Sequence, residues 1–140
     1  MRRIVYIGIG GFLGAISRYV LKNWQALHIS SQFYLNTVII NIVGCFILAL
    51  FLRLAFDIWE LDSDFRLGIA TGFIGAFTTF STLCRETIGL LFSGAVMYSL
   101  LNLVFSVTAG ITAVYLGDMC AKKIIILKEV LEDNSKSLIE

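Results

Sequence analysis

The residues with the most chemical potential lie in one largely apolar stretch, residues 72–86. Its second half carries hydroxyl and charged side chains, namely Thr78, Thr79, Ser81, Thr82, Arg85 and Glu86. Inside a bilayer no water satisfies such groups, so the stretch must be buried in protein or face an aqueous cavity. Polar residues within a membrane-spanning segment indicate a path for ions or small solutes. The stretch therefore predicts a permeation path.

The same stretch contains groups that suit ions of either sign. Gly75 and the adjacent Thr78 and Thr79 predict an opening of the helix, because Gly weakens a helix and Thr hydroxyls compete for backbone carbonyls. Carbonyls freed in this way form cation sites in transporters with broken helices. The ring of Phe80 either packs against its neighbours or turns its positive edge toward an anion. Hydroxyl donors beside that ring would suit a small, strongly hydrated anion.

Three further segments place polar or small residues on one helical face each. These sets are Gly10, Gly14, Arg18 and Lys22; Thr37, Asn41 and Gly44; and Tyr98, Asn102, Ser106 and Gly110. Packing between helices is the simpler interpretation of the glycines and of the last set. Asn41 is either an interhelical hydrogen-bonding residue or a donor in a pore. Arg18 requires a partner or water, because a guanidinium inside a bilayer is costly.

Membrane-spanning helices must position these residues. The chain has 140 residues, of which 58% are hydrophobic and 15% charged, and its mean hydropathy is +0.86. This composition predicts a membrane protein. Four apolar segments, residues 4–21, 33–56, 65–92 and 96–117, approach the roughly 20 residues that cross a bilayer. We predict an all-α transmembrane domain over residues 1–120, with the third helix broken near its middle, and a charged C-terminal tail over residues 121–140.

Charge distribution predicts orientation and assembly. Arg2, Arg3, Arg66, Lys122 and Lys123 lie on the side of both termini, and Lys22 lies on the other, which favours cytoplasmic termini. Four thin helices leave little protein to cover Arg18, Arg85 and Glu86, at about 2.5–3.5 kcal/mol for each charge near mid-membrane. A two-fold dimer is the expected remedy.

Several classes of function are disfavoured. A net charge of +1 offers no basic field for nucleic acid. His28 has no second ligand for zinc, Cys45 and Cys84 are predicted packing residues, and no nucleophile–base pair indicates an enzyme. A small multidrug exporter would need a carboxylate in the first helix, where none is present. A non-conducting subunit would not need the polar run over residues 78–82.

Three segments resemble the signatures of the small fluoride channels, the Fluc or CrcB family. They are GGFLGAISRY at residues 10–19, NTVIINIVG at residues 36–44 and GFIGAFTTFSTLCRE at residues 72–86. Asn102, Ser106, Gly110 and Gly117 match the spacing of the family's fourth helix. The resemblance covers residues 4–117.

The resemblance implies a fluoride-selective channel that lets cytoplasmic fluoride leave passively and so confers fluoride resistance. It implies a multi-pass protein of the cell (inner) membrane, an antiparallel dual-topology homodimer with two pores at its interface. By family analogy Asn41, Phe80, Ser81, Thr82, Leu83 and Ser106 line the pore, and Arg18 and Glu86 lie in the vestibule or at the pore end. Backbone carbonyls of Gly75 and Thr78 from both subunits would hold a structural sodium ion.

The chain departs from the family pattern at three adjacent positions. Leu83 stands where the family usually has a second Phe, Cys84 replaces a usual Ser, and Arg85 replaces a usually uncharged residue. Leu keeps the apolar volume of Phe but lacks the positive ring edge. The alternative to a homodimer is therefore a subunit of an obligate heterodimeric fluoride channel, paired with a paralogous subunit.

Overall fold

The computed structural model describes residues 1–23, 35–59 and 61–137, and every regular element within these ranges is helical. In chain order the elements are α1 (Arg2–Asn23), α2 (Leu35–Asp57), α3 (Ser63–Leu67), a π-helical turn called here the π segment (Gly68–Ile74), α4 (Gly75–Phe77), α5 (Phe80–Phe92) and α6 (Val96–Ser137). His28, considered above as a metal ligand, lies outside the described residues.

Four helical stretches are long and apolar enough to cross a bilayer. They are Arg2–Asn23, Leu35–Asp57, Ser63–Phe92 and Val96–Leu131. The predictions of an all-α protein and of four spanning segments are confirmed for the described residues. The third stretch joins α3, the π segment, α4 and α5 into one crossing.

Helix α6 is longer than the predicted fourth segment. We expected the span to end near residue 117 and a separate tail to begin at residue 121, but the helix continues without interruption to Ser137. No Gly follows Gly117 and the chain has no Pro, so nothing in this part of the sequence stops a helix. Asp118 and Lys122 also form an ion pair one turn apart. The predicted boundary at residue 120 is thus not marked by a helix end.

Helix α1 and the π segment approach each other along a glycine seam. A Cβ atom added to Gly10 would collide with the carbonyl oxygen of Gly68, and one added to Gly14 with that of Phe73. Such contacts bring two backbones closer than any larger residue permits. The packing role predicted for Gly10 and Gly14 is confirmed.

The end of the bundle that holds the N-terminus is linked by ion pairs. The turn after α2 and the start of α3 supply acidic partners to the first residues of α1, and two further pairs lie within α2 and α6. The pairs are Arg2–Asp62 at 3.6 Å, Arg3–Asp64 at 3.0 Å, Arg53–Asp57 at 2.7 Å and Lys122–Asp118 at 2.5 Å. All are at least partly exposed, so each contributes little to stability by itself.

Candidate functional site

Two residues of the third segment, Thr78 and Thr79, have extended rather than helical backbone angles. Thr78 has φ −74° and ψ 157°, and Thr79 has φ −150° and ψ 106°. Asn41 of α2 faces this point. Its Oδ1 accepts a hydrogen bond from the Thr79 N–H at 2.8 Å, and its Nδ2 donates to the Thr79 carbonyl at 3.2 Å. One amide side chain therefore satisfies both backbone groups of Thr79.

Hydroxyl groups start the next helix. The Thr79 Oγ1 accepts a hydrogen bond from the Thr82 N–H at 3.2 Å, which makes Thr79 the N-cap of α5. The same hydroxyl donates to the Thr82 Oγ1 at 2.9 Å and lies 3.3 Å from the Ser81 Oγ. Three hydroxyls thus form one local network at the start of α5.

This arrangement releases two backbone carbonyls from their ordinary helical partners. In a continuous α-helix the Thr79 N–H would bond to the Gly75 carbonyl, and the Thr82 N–H to the Thr78 carbonyl. Here the Thr79 N–H donates to Asn41 and the Thr82 N–H donates to the Thr79 hydroxyl. Neutral carbonyl oxygens without a backbone donor are suitable ligands for a hard monovalent cation.

An open groove of about 400 Å³ lies beside these residues, between α2, α5 and α6. Its walls are mostly apolar and carry a few polar groups. Among the lining residues are Asn41, Thr78, Phe80, Leu83, Ser106 and Gly110. Phe80 is 73% exposed and Leu83 is 4% exposed, so the aromatic ring projects outward whereas the leucine is part of the wall.

The structure brings four of the six predicted pore-lining residues to this groove: Asn41, Phe80, Leu83 and Ser106. Ser106 is nearly buried, and its hydroxyl donates to the carbonyl of Asn102 at 2.6 Å. Ser81 and Thr82 do not line the groove. They belong to the hydroxyl network at the start of α5.

The predicted pore-end residues, Arg18 and Glu86, do not line the groove. Glu86 is buried, and its Oε1 accepts a hydrogen bond from the Thr37 hydroxyl at 2.8 Å. The ammonium group of Lys22 lies 3.7 Å from the same oxygen. Arg18 is half-buried one turn before Lys22 in α1. Within the described residues no three His, Cys, Asp or Glu side chains cluster as a metal site would require.

Sequence reasoning missed two contributions to the site. Thr79 was singled out only as a place where the helix opens, whereas it is also the backbone partner of Asn41. Cys45, which was expected to pack, lines the groove beside Asn41 and Gly44, and so does Leu48. The signal was present, since Asn41, Gly44, Cys45 and Leu48 occupy one face at helical spacing.

Residues 5–118 match the family profile described as "CrcB-like protein, Camphor Resistance (CrcB)". A protein of Ruminiclostridium cellulolyticum named "Fluoride-specific ion channel FluC" is 38% identical over 124 residues, which are 89% of this chain and 95% of that protein. One of Methanosarcina acetivorans, named "Fluoride-specific ion channel FluC 1", is 40% identical over 86% of this chain and 92% of its own length.

A third relative, from Syntrophotalea carbinolica and also named "Fluoride-specific ion channel FluC", is 35% identical over 121 residues. These cover 86% of this chain and 98% of that protein. The matched region therefore reaches into all four spanning stretches, and the family profile ends at residue 118, before the last part of α6.

Proposed function

The chain belongs to the CrcB family of fluoride channels, which are passive channels and not enzymes, and from this premise we propose that it is a fluoride-selective channel that lets cytoplasmic fluoride leave the cell and so confers fluoride resistance. The observation that carries the proposal is the groove beside Thr78 and Thr79. It combines hydrogen-bonding groups, an outward aromatic ring and apolar walls within a membrane-spanning bundle.

The groove offers an anion hydrogen bonds without a fixed positive charge. Asn41 uses one Nδ2 hydrogen for the Thr79 carbonyl, and an amide nitrogen has a second hydrogen to donate. The edge of the Phe80 ring carries partial positive charge. Such a lining binds a small anion strongly enough to replace part of its hydration and weakly enough to release it.

We propose that the pore is completed by a second subunit. The groove is open on one side, and Phe80 and Arg85 are exposed although they belong to a membrane-spanning segment. An exposed guanidinium facing lipid is costly, so this face requires a protein or aqueous neighbour. An antiparallel dual-topology homodimer in the plasma membrane, with two pores at its interface, would supply a protein neighbour and an aqueous one.

The carbonyls of Gly75 and Thr78 would hold a structural sodium ion. Their fit rests on the backbone geometry, because both helical N–H donors that these carbonyls would use are bonded elsewhere. Two carbonyls from one subunit and two from its partner would give an all-oxygen ligand set. The ion would supply a fixed positive charge at the dimer centre and hold the two extended segments together.

Fluoride efflux from liposomes tests the proposed function. The purified protein is reconstituted alone, and fluoride efflux is followed with a fluoride electrode. Liposomes without protein are one control, and liposomes loaded with chloride, followed with a chloride electrode, are the other. We expect rapid efflux of fluoride and none of chloride.

A folded protein that carries no fluoride alone would contradict the homodimer. In that case co-reconstitution with a paralogous subunit separates two explanations: restored efflux would establish the heterodimer, in which the partner supplies the second ring that Leu83 lacks. Efflux that no partner restores would overturn the assignment as a channel.

A further inference from the structure

We propose that Lys22 is the electrostatic counterpart of Glu86 and that it keeps this end of the fluoride path permeable to an anion. The inference rests on the proposed function and assigns a positioning role to a residue at the end of α1. It starts from a contact that links three spanning segments.

Glu86 is a carboxylate held in the interior of the bundle. Its side chain is 6% exposed. The Thr37 hydroxyl of α2 donates to its Oε1 at 2.8 Å, and the Lys22 ammonium of α1 lies 3.7 Å from that same oxygen. Because Glu86 belongs to α5, these contacts join α1, α2 and α5 at one point.

The second carboxylate oxygen has no such partner. The Oε2 of Glu86 is buried, and no hydrogen-bond donor among the described residues reaches it. Of the described charged groups, Lys22 of α1 and Arg85 of its own helix act on Glu86, while α2 presents the uncharged Thr37. Arg85 is exposed on the outer surface of the bundle, whereas Lys22 contacts the carboxylate directly.

The position of Glu86 makes its charge relevant to transport. It lies one helical turn after Thr82, on the same face of α5, and so continues the line of groups that begins at Thr79. A negative charge in a poorly solvated environment repels an approaching anion over several ångströms. With Lys22 beside it, the pair presents nearly no net charge, and the anion meets a much smaller barrier.

Removal of the Lys22 charge should therefore expose the field of Glu86. We expect Lys22→Met to slow fluoride efflux by about tenfold, within the range of coupling between groups in direct contact. Lys22→Arg retains the charge and should keep efflux within about twofold of the wild-type rate. Lys122→Met is the matched control, because Lys122 also pairs with an acidic residue but at the opposite end of the bundle.

A double-mutant cycle separates this role from a merely structural one. In a Glu86→Gln background, Lys22→Met should change efflux by less than about twofold, because the carboxylate that Lys22 offsets is gone. Efflux through the Lys22→Met protein should also recover as the pH falls toward the range in which carboxyl groups gain a proton, whereas the Lys22→Arg protein should respond much less. Empty liposomes at each pH correct for leakage.

Each outcome decides one question. Equal effects of Lys22→Met in both backgrounds, or a Lys22→Met protein whose efflux does not respond to pH, would overturn the electrostatic pairing. Wild-type protein that carries no fluoride, either alone or with a paralogous subunit, would count against the proposed function itself. If the wild type is active but the Lys22 and Glu86 substitutions change efflux independently of each other, the result would count against this inference alone.

Discussion

The first half of the third spanning segment packs tightly against α1, whereas the second half borders an open groove. The π segment packs on α1 so tightly that Gly10 and Gly14 have no room for a methyl group. After Thr78, the chain borders a groove of about 400 Å³, where an added Cβ at Gly110 would make only an ordinary contact with Cys45. Gly10 and Gly14 thus define a tightly packed seam in one half, whereas Gly110 leaves space in the other.

Substitution within the seam should have the largest effect. Gly14→Ala places a methyl group against the Phe73 carbonyl, and because that neighbour is backbone, the helices must separate. We expect a loss of about 1–3 kcal/mol of stability or more. Thermal unfolding in detergent, followed by size-exclusion chromatography, measures it.

The matched control is Gly8→Ala in the same helix. Among the described residues, no atom outside that helix lies within 4 Å of the added Cβ, and alanine favours a helix over glycine. This variant should unfold at the wild-type temperature or slightly above it. If Gly8→Ala lost as much stability as Gly14→Ala, close packing of α1 against the π segment would not be the cause of the loss.

The second largest effect should come from the residue that stabilises the open half. Asn41→Leu removes both hydrogen bonds to Thr79 and leaves a buried N–H and carbonyl unpaired, at about 1–3 kcal/mol for each group. We expect fluoride efflux to fall by about tenfold or more, because leucine also lacks the second amide hydrogen that we propose for the anion, and about 1.4 kcal/mol added to a barrier corresponds to a factor of ten. Liposome efflux and thermal unfolding are the measurements.

Asn41→Asp is the informative comparison for this position. A carboxylate accepts the Thr79 N–H bond but cannot donate to the Thr79 carbonyl, and it adds a negative charge beside the groove. Its structure should be retained better than that of Asn41→Leu, while its efflux should be at least as low. Full efflux in either variant would contradict the role given to Asn41.

A smaller change in efflux, in the opposite direction, is expected at Leu83, where the groove departs from the family pattern. Leu83→Phe should retain or raise fluoride efflux, because the larger ring can extend into the groove that Leu83 lines and adds a positive edge. Leu90→Phe is the control, since Leu90 is similarly buried on α5 but does not line this groove. That variant should lose stability from overpacking and gain no efflux. A clear loss of efflux in Leu83→Phe would mean that this chain builds its pore differently.

The contrast between the two halves also explains what the sequence could predict. Apolar runs of spanning length predicted four crossings, and the spacing of Gly10 and Gly14 predicted a packed seam, because both depend on local periodicity. The Asn41–Thr79 pairing joins residues 38 positions apart, so it depends on how α2 meets the third segment. Sequence left Asn41 open between packing and pore; the structure shows it at the groove, bonded to backbone.

The length of α6 could not be predicted from charge alone. Many of the residues after Gly117 are charged, which suggested a solvated tail, but Lys, Glu and Leu are also strong helix formers. Lys122, Lys123 and Lys128 are exposed on a helix that continues past the matched family region. Charge alone therefore did not predict the conformation of this segment.

The smallest effect is expected at the end of the bundle that carries the N-terminus. Arg3→Ala removes an ion pair whose two side chains are 59% and 24% exposed, and such pairs contribute only about 0.2–1 kcal/mol. Its unfolding temperature should shift slightly, and less at high salt because exposed charges are screened. Lys22→Met removes a pair whose acidic member is 6% exposed, so its loss leaves a buried charge uncompensated. If Arg3→Ala and Lys22→Met lost equal stability at every salt concentration, the burial of Glu86 would not make its ion pair stronger than the exposed one. The exposed Arg3–Asp64 pair would then contribute as much stability as the Lys22–Glu86 pair.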